Sequence, residues 1–210
     1  MNKPISNTLS SEFTARLPQQ ARGRERFEGI LAASEQLLIE KGIDGFSIPE
    51  LASVLQCTRT SIYHFFPTPF AILNELTRRY LCKLEEEVRA VSVGFETQPW
   101  RDVIEHVSVT VSRFHNNNPV GALLILGAVA TSESHQALQL TISHLGRYVD
   151  DLMRAIGVVL PDDEPNAAAL TVELGTACLR LSYYLHGEVT DAYRRECSRA
   201  MISYLEQFAK

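Results

Sequence analysis

The chain of 210 residues is 45% hydrophobic and carries a formal net charge of −5. That length and composition allow a sizeable core and exclude a disordered or fibrous chain. The longest apolar run, VGALLILGAVA at 120–130, falls short of the ~20 residues that span a bilayer, and the first 20 residues lack the apolar core of a signal peptide. Cysteines stand at 57, 82, 178 and 197; with no close pair among them, they signal neither a zinc site nor a disulfide framework, and reduced thiols in a cytoplasm are expected. Residues 1–66 hold seven basic residues against seven acidic ones, so the whole deficit, thirteen against eighteen, lies beyond. Arg16, Arg22, Arg24 and Arg26 cluster ahead of the first helical pattern. A locally basic face on an acidic body is compatible with nucleic acid.

Period-2 runs and hairpin turns are absent, whereas helical periodicity recurs throughout, which predicts an all-α fold. Helix 1 is expected from about Arg24 to Lys41, with Phe27, Ile30, Leu31, Ser34, Leu37 and Leu38 on its inward face and Gly42 as its stop. Helix 2 opens at SIPE, with Ser47 as N-cap, Pro49 in the first turn and Glu50 completing a capping box. Its inward residues are Ile48, Leu51, Ala52 and Leu55. Only Gln56, Cys57 and Thr58 separate it from a third helix, capped by Thr58. There Ile62, Phe65 and Phe66 share one face, leaving Arg59, Thr60, Ser61, Tyr63 and His64 outward. Thr68 and Pro69 start helix 4, which runs to about Val91, over 30 Å at ~1.5 Å per residue. Helices 5 (about 100–116), 6 (about 119–129), 7 (to about Ile156), 8 (about 166–186) and 9 (about 190–208) follow. Helix 8 shows a stripe of Leu170, Leu174, Ala177, Cys178, Leu181 and Leu185, and helix 9 one of Tyr193, Cys197, Ala200, Met201, Tyr204 and Phe208.

Three helices, the last two joined by a short turn, make a helix-turn-helix unit. A short exposed helix suits the major groove, where Arg59 can bond the O6 and N7 of a guanine and Thr60 and Ser61 can reach bases or phosphates. Tyr63 and the cap hydroxyls of Ser47 and Thr58 suit phosphates, and His64 either phosphate or solvent. A stretch of about 45 residues, GILAASEQLLIEKGIDGFSIPELASVLQCTRTSIYHFFPTPFAIL at 29–73, resembles the N-terminal domain of the TetR family of bacterial transcriptional regulators. The likeness lies in the helix 1 pattern, EKGIDGFS with its spaced glycines, IPELASVLQ, the hydroxyl-rich start of helix 3, IYHFF, and then proline and helix 4. It implies an all-helical homodimer: this domain binds operator DNA, while a C-terminal domain binds a small ligand and dimerises through its last two helices. Three positions depart from the family's pattern. Gln56 stands where glycine is usual, Phe65 where histidine is common, and Pro69 where a phosphate-gripping lysine is common. Arg16, Arg22, Arg24 or Arg26 can take over that lysine's contact.

The division expected is an N-terminal flexible arm (1–22), a DNA-binding domain (23–67) and a ligand-binding and dimerisation domain (68–210), with helix 4 as connector. Aromatic and apolar residues at Phe114, Tyr148, Met153, Tyr183 and Tyr184 are pocket candidates. Leu174, Leu181, Cys197, Met201 and Tyr204 are candidates for the dimer interface, because two terminal helices with wide apolar faces need a partner. Histidine spacing fits no helical metal site: His135 and His144 are nine apart, and His115 and His186 are expected as cations at the ends of helices 5 and 8. Asp150 and Arg154 suit a solvated ion pair. Nucleotide-binding and nucleophile-elbow motifs are absent, so no cofactor is called for. The expectation is a cytoplasmic repressor that a small, largely apolar effector releases from a palindromic operator. An all-helical enzyme or ligand-binding protein without a DNA role, and a helix-turn-helix used for protein contacts, stay open as alternatives.

Overall fold

The computed structural model describes residues 14–91, 98–127 and 145–209, and every regular element among them is a helix. The chain divides into two compact units, Met1–Leu76 and Thr77–Lys210.

In the first unit α1 spans Ala21–Lys41, α2 Ile48–Val54 and α3 Arg59–Tyr63. The inward face expected for α1 is the buried one, Phe27, Ile30, Leu31, Ser34, Leu37 and Leu38, and the N–H of Gly42 (φ 67°) closes the helix on the Leu38 carbonyl. Ser47 caps α2 by accepting from the Glu50 N–H. The return half of the capping box does not form, because the Glu50 carboxylate instead takes the Lys41 ammonium at 2.5 Å. The exit from α2 is a Schellman turn: the Cys57 N–H bonds the Ala52 carbonyl and the Gln56 N–H the Ser53 carbonyl. Gln56 sits in the left-handed position with φ 48°, where glycine has no Cβ to clash.

A five-residue helix does not stand alone. α3 is held by the fully buried Ile62 and by Phe65 and Phe66, which run on from it. Phe27 of α1 stacks on Phe66 at 4.7 Å between ring centroids and meets Phe65 edge-on at 5.9 Å. α4, Pro69–Val91, starts with the Thr68 hydroxyl accepting from the Ala71 N–H, and its first turns add Ala71, Ile72 and Leu76 to this core.

In the second unit, α5 (Trp100–Asn117), α6 (Pro119–Ile125), a helical stretch α7 at 145–155, α8 (Ala167–His186) and α9 (Asp191–Leu205) follow the remainder of α4. The start expected for helix 7, and His135 and His144, lie outside the described residues. α8 begins at Asn166, whose side chain accepts from the Ala169 N–H, and ends at Gly187 in the left-handed region. Close approach of α8 to α9 needs Gly175, since a Cβ there would lie 2.7 Å from the Met201 sulfur. Asn116 fastens the end of α5 to the α8–α9 turn, donating to the Val189 carbonyl (2.9 Å) and accepting from its N–H (2.8 Å).

Candidate nucleic-acid interface

The outward side of α3 is built by the same residues that anchor it. With Ile62, Phe65 and Phe66 turned inward, Thr58, Arg59, Thr60, Tyr63 and His64 are left exposed. Thr58 caps the helix, accepting from the Ser61 N–H at 3.4 Å, and its hydroxyl lies 3.0 Å from that of Ser61. Ser61 is half-buried and engaged with the cap, which separates it from Arg59 and Thr60, whose side chains point to solvent. Arg59 has no acidic partner among the described residues, so its five donors are available to acceptors outside the chain. Ser47 is half-buried at the start of α2, its oxygen taken by Glu50 and its hydroxyl hydrogen unassigned. The fold therefore brings Thr58, Arg59, Thr60, Tyr63 and His64 onto one short exposed surface, with Ser61 at its edge.

The family model described as "Bacterial regulatory proteins, tetR family" matches residues 30–76, which cover this unit from α1 into α4. Over these residues the chain is similar to the tetR family. It is 26% identical over 156 residues, 74% of its length, to an HTH-type transcriptional repressor of Mycobacterium tuberculosis and to an uncharacterized HTH-type transcriptional regulator of Mycobacterium bovis. The chain spans 57% of the length of these curated relatives. Its fold is similar to that of a TetR-family transcriptional regulator from Streptomyces coelicolor (TM-score 0.65, 20% identity, 89% of this chain and 98% of that one). A like similarity holds to Thermus thermophilus FadR, a TetR-family transcriptional repressor in complex with lauroyl-CoA (TM-score 0.64, 19% identity, 87% and 93% covered). An N-terminal helix-turn-helix unit followed by a helical second unit is the tetR-family architecture, as expected from the sequence.

The second unit places the remaining candidates in several different surroundings. A cavity of about 50 Å³ is lined chiefly by aliphatic side chains of α5, α7, α8 and α9, with Ser108, Thr176 and Tyr148 as its polar members. Tyr148 lines it; Phe114 and Met153 are buried but do not. Tyr183 and Tyr184 lie along an open groove with Leu123 and Leu126, and Tyr184 is 84% exposed. Cys197 and Met201, assigned from sequence to the dimer interface, are buried within one protomer and line the cavity. Leu174 and Leu181 are exposed, and Tyr204 is half-buried against Phe208. Val107, Val111 and Gly175, also cavity-lining, escaped sequence reading because nothing distinguishes an aliphatic that lines a void from one that fills a core.

One sequence expectation is overturned here. His115 is not a solvated cation at a helix end: it is buried beside Phe114, its Nδ1 has no hydrogen-bond partner, and burial pushes its pKa down to about 4. The imidazole is neutral because desolvation costs the charged form more than the helix terminus returns. His186, by contrast, is exposed at the end of α8, 5.7 Å from the Tyr193 ring. The expected pair forms, with Arg154 donating to Asp150 at 2.9 Å. Among the described residues no group of three or more candidate metal ligands gathers, and no helix is long and apolar enough to cross a membrane.

Proposed function

We infer that the chain is a transcriptional repressor that binds a palindromic operator as a dimer and is released by a small, largely apolar effector held in the second unit. The observation that carries this reading is α3: a helix too short to be stable alone, anchored entirely from behind, with Arg59 and a hydroxyl-rich start facing solvent. Arg59 and Thr60 stand where base edges come within reach, and Tyr63 and the hydroxyls of Ser47 and Thr58 serve phosphates. His64 sits at the edge of the same surface.

Support for the effector's character comes from the aliphatic lining of the cavity, which holds no charged side chain. At about 50 Å³ the cavity takes a water or two, so an effector must enlarge it. Such a ligand binds one conformation of the second unit better and shifts the population toward it. Release follows when that conformation no longer sets two recognition helices at successive major grooves, ~34 Å apart. Support for the dimer comes from α8, where Leu170, Leu174, Leu181 and Leu185 are exposed on one stripe, an apolar face of the kind that interfaces cover.

Selection of bound duplexes from fragmented genomic DNA, followed by titration of single-base variants, tests the reading. Arg59→Ala is expected to cost roughly 1–3 kcal/mol and to flatten preference at one base pair per half-site. Unchanged affinity and preference in that variant would remove α3 as the reader.

A further inference from the structure

Residues 16–20, just ahead of α1, are held in place. The Arg16 N–H donates to the Phe65 carbonyl at 2.8 Å, taking up one of the carbonyls that the end of a short helix leaves unpaired. Arg24 donates from Nη1 to the Gln19 carbonyl at 3.3 Å. Pro18 lies so close to Gly23 that a Cβ at that position would sit 3.0 Å from the proline Cβ and 3.9 Å from the Phe65 ring. Residues 16–20 are thus laid across the first turn of α1 and against His64 and Phe65 at the end of α3, with an open cleft between them.

The charge carried by this segment and by the first turns of α1 is available. Arg16, Arg22 and Arg26 are exposed and, among the described residues, none has an acidic partner. In the second unit, seven arginines (89, 101, 154, 180, 194, 195 and 199) are bonded to carboxylates. Over 14–28 the four arginines face only Glu25 and Glu28, which leaves two net positive charges beside the helix that carries Arg59. Guanidinium is suited to bidentate phosphate recognition and stays charged at any working pH.

We propose that residues 14–26 are a second DNA-contacting element, docked on the end of α3, whose Arg16, Arg22 and Arg26 engage backbone phosphates beside the groove that α3 enters. Arg24 and Gly23 are positioning residues: one ties the segment back to α1, the other gives Pro18 the room to lie flat. The proposal rests on the reading of α3 as DNA-facing but makes a separate demand. Phosphate contacts carry no sequence information, so these arginines set affinity and its salt dependence while leaving base preference to α3.

The test uses the full chain, a duplex selected by it from a random pool, and a mixed-sequence duplex of the same length, each titrated across a range of salt. The triple variant Arg16→Gln, Arg22→Gln, Arg26→Gln is expected to bind both duplexes roughly tenfold or more weakly at about 0.1 M salt, with the slope of log K against log salt shallower by about 0.9 for each phosphate no longer engaged. Its base preference should be unchanged. Gly23→Val keeps every arginine but crowds Pro18, and should weaken binding in the same direction with a shallower slope. If the triple variant binds with wild-type affinity and slope, the proposal is overturned while operator binding stands. If the triple variant weakens and Gly23→Val does not, the docked placement is overturned. If the wild-type chain selects no duplex at all, the repressor reading fails and this proposal with it.

Discussion

Gln56 occupies the left-handed position of the turn between α2 and α3, and its strain is local and measurable. An L-residue there costs roughly 1–2 kcal/mol, against the roughly 0.5–1 kcal/mol of extra unfolded-state freedom that glycine brings. Gln56→Gly is therefore expected to raise stability by about 0.5–1 kcal/mol in urea unfolding, and Gln56→Val to lower it, since a β-branched side chain is worst at positive φ. His115 makes the opposite kind of contribution. Its folded pKa of about 4 lies below the ordinary histidine value of 6.5, so the unfolded chain binds the extra proton between those values. Stability is full above about 6.5 and is lost as pH falls toward about 4, by roughly 3 kcal/mol if the whole shift is expressed. His115→Leu should flatten that acid limb of a stability-against-pH curve; an unchanged limb would place the titration elsewhere. Neither feature could be read from residue type alone. The family's preference for glycine marked position 56, but nothing near His115 in sequence announced its burial.

At the scale of the element, α3 was the most legible part of the chain. Its cap, its inward residues and its outward face all follow from i, i+3, i+4 spacing over a short stretch, and the structure keeps them where the spacing placed them except for Ser61, which is half-buried against the Thr58 cap. The division of labour along it is also testable. Tyr63 is 44% exposed, a turn beyond the helix start. Tyr63→Phe should weaken binding to every operator variant by a similar factor, because a phosphate contact fixes register without reading bases. A change confined to one base pair would instead make Tyr63 a reader. The terminal helices were half legible. α8 is apolar on two sides: Val172, Gly175, Thr176 and Leu179 face the protomer's interior, while Leu170, Leu174, Leu181 and Leu185 face outward. Periodicity picked out the outward stripe and missed the buried one, and it does not say which face an intramolecular neighbour covers.

For the whole molecule that distinction changes what two matched substitutions should do. Leu181 is 49% exposed, and Leu181→Glu is expected to give folded monomers in analytical ultracentrifugation with weakened operator binding. Met201 is buried against Gly175 and Cys197, so Met201→Glu puts a carboxylate into an apolar interior and should unfold the second unit instead. Circular dichroism melts run beside sedimentation separate the outcomes. A folded, dimeric Leu181→Glu protein would move the interface off α8. Cys197 belongs with Met201: burial pushes its thiol up to about 12, which makes it an inert core residue at neutral pH.

Local sequence determined the helices, their caps and stops, the helix-turn-helix unit and the exposed face of α3, because each depends on residues within a few positions of one another. Tertiary structure decided what covers each apolar stripe, and so moved Cys197 and Met201 from an expected interface to the lining of a cavity. It decided that His115 is neutral, since desolvation comes from helices remote in the chain. It also decided that Arg16, ahead of α1, lies beside the end of α3, through a backbone hydrogen bond between residues 49 positions apart. Periodicity reports which residues share a face; only the packed chain determines what that face meets.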